Sequence, residues 1–442
     1  MQGRNLSKIS NTVISFFNVT TKKLGRIVQF VKRRSKLTAS LFTETLVMTC
    51  LSNFNVTLED QCQLLKQRGV KITKQGLHQR FNSEARELMK RLFEEALKHF
   101  KTERQDMIDL LKPFSSVMLL DSSGISLPAN LKHLYEGFGG AASDAGLKIQ
   151  TLFDYTQGQI REITLTEARK NDQSFKDHLN NIEKGALYLQ DLGYFNTESF
   201  NRIEAEGAYF ISRYLTQTKV FDRDEKEVDL LKALRNAGSF LAKDLLLGQK
   251  NKVKVRLIAY LLPEEEVEKR LRKLNKEAAK KGRIPTKETL ELARWSIFVT
   301  NVPKDVLDNQ QVYLVYLLRW QIELFFKLCK SHAGIDKING KTQNRILCEI
   351  YAKLIGIVTF LYLCLPVRWQ YNQELSFFRA YKQLRQQFSD FFTALKSPYR
   401  LSKFLKGFLN NLKNFSLKEK PRKKRLATYQ KLMSIASQER LV

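Results

Sequence analysis

From residue 115 the hydrophobic period of this chain changes, and that change limits the fold more than any other feature. Upstream, from about Thr38 to His99, apolar residues recur at helical spacing. Downstream, strand-length runs take over. Ser116–Leu120 is a continuous apolar run ending at Asp121, and Leu147–Tyr155 and Gln159–Thr166 flank the turn Thr156-Gln157-Gly158. Ala186–Gln190 is a further strand ending at Asp191, a helix is predicted over 196–206, and Ala208–Tyr214 supplies a fifth strand. The predicted order is three strands, a helix, a strand, a helix and a strand, with acids at two strand ends. Such a chain must build a mixed sheet flanked by helices. Carboxylates at strand ends can project into one cleft while the main chain stays paired.

The rest of the chain divides around this core. We expect a helical basic region at 1–105, the core in two pieces at 106–219 and 301–370, an inserted subdomain at 220–300, and a helical region with a basic tail at 371–442. Within the insertion, Lys252–Leu262 reads as a strand, Pro263–Lys281 as a charged helix stopped by Gly282 and Pro285, and Trp295–Thr300 as another strand. In the first region, Thr57-Leu58-Glu59-Asp60 is a capping box that opens one helix, and Thr73 caps a second after Gly69. Two short helices about a glycine turn resemble a helix-turn-helix, with Lys74, Gln75 and Arg80 on the second. The same arrangement also occurs as an ordinary corner of an all-helical core.

Charge narrows the partners. There are 75 Lys+Arg against 45 Asp+Glu, a formal +30. A chain so basic attracts polyanions, since each neutralised phosphate releases condensed counterions. The first 43 residues carry nine Lys/Arg and no acid, densest at Lys32, Arg33 and Arg34, and are expected to clamp phosphates. The tail 418–425 is basic and is expected to be solvated. The five cysteines lack CxxC pairing, so buried thiols in a reducing, cytoplasmic compartment are expected and a structural zinc is not. The apolar stretch Leu354–Val367 is too short to cross a bilayer and is bracketed by Lys353 and Arg368, so a buried core helix is expected and no membrane partner.

The segment Tyr316 to Lys330 decides the chemistry. On a continuous α-helix, Tyr316, Arg319, Glu323 and Lys330 would share an arc of roughly 60°, with Lys327 beside them. The flanking Leu317, Leu318, Ile322, Phe325 and Phe326 are apolar. A polar stripe on an otherwise buried helix points to a site, although Glu323 and Lys327 could also form a plain i,i+4 surface pair.

The pattern Tyr316-x2-Arg319-x3-Glu323-x6-Lys330 resembles the signature of the insertion sequence 4 family of DDE transposases. Asp121-Ser-Ser and Asp191-Leu-Gly-Tyr-Phe are similar to that family's first and second acidic motifs. The strand beginning at Trp295 is similar to its end-binding strand. The resemblance implies an α+β, multidomain chain with a ribonuclease-H-like catalytic core interrupted by an inserted subdomain. It implies catalysis by Asp121, Asp191 and Glu323, holding two Mg²⁺ ions (or Mn²⁺), with Asp121 bridging both. It implies DNA contacts from Tyr316, Arg319, Lys327 and Lys330, and a flipped base stacked on Trp295, although an aromatic on this amphipathic strand could also be a plain core residue. The implied partners are terminal inverted repeats and target DNA, with a homodimer in the DNA complex and transposition by cut and paste through a hairpin. Two other readings compete. A domesticated DNA-binding relic would be expected to have lost its acids, and a junction-resolving nuclease would have no use for the Tyr-Arg-Glu-Lys stripe.

Overall fold

The computed structural model describes residues 2–33, 35–53, 55, 57–101, 108–139, 143–280, 282–370 and 373–418. Arg34 and the tail beyond Lys418 lie outside the described residues. The N-terminal region is helical: α1 (Gln2–Ser15), a π turn, α2 (Thr21–Ile27), α3 (Ala39–Ser52), α4 (Leu58–Gln67), α5 (Lys74–His78) and α6 (Ser83–His99). Local chemistry sets its boundaries. Thr57 and Asp60 form the reciprocal capping box that starts α4, and Thr73 accepts from the Gly76 N–H to start α5.

A nine-stranded sheet follows, built from β1 (Val117–Leu127), β2 (Ala145–Asp154), β3 (Gln159–Glu167), β4 (Leu187–Gln190), β5 (Tyr209–Arg213), β6 (Val220–Phe221), β7 (Phe240–Leu247), β8 (Val253–Leu261) and β9 (Trp295–Thr300). The spatial order is β3-β2-β1-β4-β5-β9-β8-β7-β6. β1, β2 and β3 are mutually antiparallel, whereas β4 and β5 join β1 in parallel. This is the ribonuclease-H-like arrangement that the strand order predicts. Residues 220–300 contribute β6–β9 to the same sheet through the antiparallel pairing of β9 with β5. They also carry α8 (Leu230–Ala237), α9 (Glu264–Lys280) and α10 (Lys287–Leu292), while α7 (Thr197–Ala205) links β4 to β5.

Two local expectations are corrected. No helix joins β3 to β4 among the described residues; Asp172–Ser174 and Asp177–Leu179 are single 3-10 turns. The Asn171 side chain accepts from the Gln173 N–H, the local bonding by which Asn and Asp compete with helix. β7 escaped notice because half of its residues are exposed and it mixes Lys243 and Asp244 with leucines, which blurs the period of two.

Alternation divides the core. Leu119, Leu187, Leu189, Ile211, Ile258 and Phe298 face the same side as α3, α6 and the helices after β9, whereas Met118, Leu120, Tyr188, Phe210, Leu257 and Val299 face the other. After β9 come α11 (Asn309–Tyr316), a 3-10 turn, α12 (Trp320–Lys327), a π turn, α13 (Gln343–Cys364), α14 (Phe377–Gln386), α15 (Phe388–Ala394) and α16 (Pro398–Phe415). α13 lies between α3 and α6, and 89% of its apolar window is buried, so the stretch that could be mistaken for a membrane span is a core helix. Four cysteines are buried and Cys62 is half-buried; all are free thiols.

Candidate active site

Asp121 stands where the sheet splits. β1 pairs with β4 only as far as Leu120 opposite Gln190, yet it continues against β2 to Leu127 opposite Ala145. The strand therefore does not end at Asp121, as its apolar run suggested. What ends there is the pairing with β4. Asp191 follows β4 directly in extended conformation and leads into the 3-10 turn Leu192–Tyr194. The two acids thus flank the opening between β1 and β4 at its carboxyl end.

The third acid comes from a helical segment that is not uniform. Leu317–Arg319 is a 3-10 turn and Leu328–His332 a π turn, so the single-helix projection from Tyr316 to Lys330 fails at both ends. Arg319 and Glu323 remain adjacent. The Arg319 guanidinium donates to Glu323 Oε1 at 2.6 Å, lies 3.4 Å from Asp121 Oδ2 and 4.0 Å from Asp191 Oδ1. One cation therefore touches three carboxylates drawn from β1, the end of β4 and α12. Tyr316 is buried, and its hydroxyl donates to the Gln190 carbonyl at 3.4 Å.

The electrostatics are asymmetric. Burial pushes the Asp121 carboxyl up to about 6, opposed by the Ser122 N–H at 2.8 Å and by Arg319, and reinforced by Asp191 and Glu323. Burial works to lower the Arg319 guanidinium, but Tyr316, Asp191, Glu323 and Asp121 raise it overall. Asp191 and Glu323 keep 44% and 45% of their side chains exposed, so two of the three acids can reach a ligand from solvent. Three carboxylates around one guanidinium carry more negative charge than it balances. The donors are hard oxygens suited to a divalent cation. Among the described residues no three such side chains enclose an ion as they stand, because the guanidinium lies between them.

Other candidates fall in different places. Lys330 is half-buried and lines a small cavity with Ser123 beside the site. Lys327 leaves the stripe and lies over the Phe378 ring at 5.7 Å, so the surface pair with Glu323 does not form. Trp295 is 8% exposed and lines a cavity of about 420 Å³ with Leu192, Arg213, Arg270 and Lys273. Arg270 and Lys273 were missed in the sequence because α9 reads as a self-neutralising charged helix, and Arg213 because it ends the strand β5. Lys32 is exposed and pairs with Glu84 at 3.5 Å, and Arg33 is exposed. Lys74 pairs with Glu59 at 2.9 Å, Gln75 is exposed, and Arg80 packs on the Phe30 ring.

A second polar cluster also went unnoticed. Behind Asp121, Asp172 accepts from Ser122 Oγ at 3.2 Å and Gln150 Nε2 at 2.9 Å and pairs with Lys148 at 3.0 Å, while the Tyr194 hydroxyl donates to Gln150. It ties the residue after Asp121 to the turn after Asp191. Only pairing across β1 and β2 reveals it.

Residues 112–358 match the family described as Transposase DDE domain. The chain belongs to this family. Among curated relatives, the transposase for insertion sequence element IS231F of Bacillus thuringiensis subsp. israelensis is 27% identical over 87% of this chain and 86% of its own length. That for IS1151 of Clostridium perfringens is 26% identical over 96% of each. A solved structure, the cryo-EM structure of piggyBac transposase synaptic complex with hairpin DNA, matches with a TM-score of 0.49 at 10% identity, covering 94% of this chain and 86% of that one. As a DDE transposase, the chain is an enzyme of DNA transposition that works with divalent metal ions.

Proposed function

We propose that this transposase cuts DNA at the ends of its insertion sequence and joins the freed 3′ ends to target DNA, moving by cut and paste through a hairpin. The observation that carries the reading is the meeting of Asp121, Asp191 and Glu323 on one guanidinium, from three elements far apart in sequence. These carboxylates would hold Mg²⁺, with Mn²⁺ as a substitute. When bound, such ions neutralise charge on the attacking and leaving oxygens of an in-line displacement. Arg319 is shared among the acids and can turn to a DNA phosphate, where its fork binds two oxygens at once. Tyr316 braces the Gln190 carbonyl just before Asp191, and Lys330 adds positive charge beside Ser123.

Trp295 would stack a base turned out of the terminal pairs, in the cavity whose rim carries Arg213, Arg270 and Lys273. Work divides along the chain: 1–105 grips the ends, 106–219 with 301–370 holds the chemistry, and 220–300 receives the turned-out base. Lys32, Arg33 and Arg34 act as phosphate contacts. The protein works in the cytoplasm as a homodimer on paired ends. The test is cleavage of the DNA flanking the reading frame with Mg²⁺, wild type beside Glu323→Ala. Cutting at defined ends by wild type alone supports the reading; cutting by both removes Glu323 from the site.

A further inference from the structure

Two acid-free stretches lie about 350 residues apart in sequence and meet in the fold. The first 43 residues carry nine Lys/Arg and no Asp or Glu, and residues 391–418 carry Lys396, Arg400, Lys403, Lys406, Lys413 and Lys418, again without an acid. α1 packs directly on α16. α16 buries Leu401, Leu405, Phe408, Leu409 and Leu412, and its opposite arc carries Arg400, Lys403 and Lys406, all exposed. On the neighbouring helices Lys8, Lys22, Lys23 and Arg26 are exposed. Among the described residues the charged ends of these seven side chains have no acid within ion-pair distance.

α9 is the internal contrast. It is as rich in cations, but Lys269 pairs with Glu266, Arg272 with Glu268 and Lys273 with Glu277 on the same helix. A solvated helix neutralises itself in this way. The α16 face does not, and like charges left unbalanced on one face destabilise the fold unless something outside balances them. A second copy of the same face would repel it.

We propose that α16, together with α1 and α2, forms a double-stranded DNA backbone contact that reads no sequence. This rests on the reading of the chain as a transposase that binds DNA. It extends that reading to α16, which packs on α1. Three phosphate contacts removed from a duplex should flatten the salt dependence of binding by about two to three units in log–log slope.

The experiment uses the full chain with two duplexes of equal length, one of DNA flanking the reading frame and one of random sequence, across a salt series. The variants are Arg400→Glu/Lys403→Glu/Lys406→Glu and the same three positions changed to Gln. The expected result is a shallower slope and affinity lower by about tenfold or more in the Glu variant, equal on both duplexes, with a smaller change of the same sign in the Gln variant. Thermal unfolding monitors the fold, and if the Glu variant does not fold the Gln variant decides. Wild-type slope in the folded variants overturns the proposal while leaving the transposase reading intact. Loss on the flanking duplex alone also overturns it, as does loss of binding to phosphatidylserine vesicles with DNA binding unchanged. A wild type that binds neither duplex overturns the proposal together with the reading beneath it.

Discussion

α12 and α13 both carry charge into the interior, and they treat it in opposite ways. On α13, Glu349 is fully buried, and its carboxylate accepts from the Asn339 N–H at 3.0 Å, the Gly340 N–H at 3.2 Å and Arg345 Nε at 2.9 Å. Lys353, one turn on, donates to the Gly334 carbonyl at 2.7 Å and to that of Lys337. The protein meets these charges itself. At α12 three carboxylates share one guanidinium, two of them are nearly half exposed, and Asp121 holds its proton up to about 6. A buried charge saturated by backbone is a structural device, whereas charge left in excess at a cleft needs a partner from outside.

Breaking the comparison at α12 should cost activity and spare the fold. Glu323→Gln keeps shape and removes charge, so end cleavage is expected to fall by a factor on the order of a thousand or more, with little change in urea unfolding. Breaking it at α13 should do the reverse. Glu349→Ala removes the buried carboxylate that Arg345 and the Asn339 and Gly340 N–H groups donate to, and the expected loss is about 3–5 kcal/mol of stability in urea unfolding, with cleavage per folded molecule retained. If Glu349→Ala folded normally but could not cut, the two clusters would not differ as described.

A pH series sharpens the contrast. The folded pKa of Asp121 lies above its ordinary value, so the metal-free fold is favoured below about 4 and loses that contribution as pH rises through about 6. The contribution amounts to roughly 3 kcal/mol. Unfolding of Asp121→Asn in chelator should lack this fall between pH 4 and 6, and parallel profiles for variant and wild type would place the titration elsewhere. The smallest effect is expected at Lys327. Because it lies over Phe378, Lys327→Ala should remove only a cation–π contact of about 0.5–1 kcal/mol and shift DNA affinity by less than about fivefold. A hundredfold shift would return Lys327 to the site.

Much of this was legible in the residues. The strand runs ending at Asp121 and Asp191 fix where the sheet exposes its acids, and the apolar flanks of Glu323 mark a packed helix with one polar side. Other features required tertiary pairing. The 3-10 turn at Leu317 and the π turn at Leu328 carry no Gly or Pro to announce them, yet they take Tyr316 and Lys330 off the arc of a single helix. The cluster of Lys148, Gln150, Asp172 and Tyr194 joins three separate segments, so no spacing could reveal it. β7 hid because its charged residues Lys243 and Asp244 fall on both faces of the strand.

The most direct test is Mn²⁺ binding to the full chain, followed by electron paramagnetic resonance in wild type, Glu323→Gln and Glu349→Gln. The account predicts binding by wild type and Glu349→Gln, and affinity at least about tenfold weaker in Glu323→Gln. Equal binding by all three would contradict the claim that the unbalanced acids around Arg319 are where the metal is held.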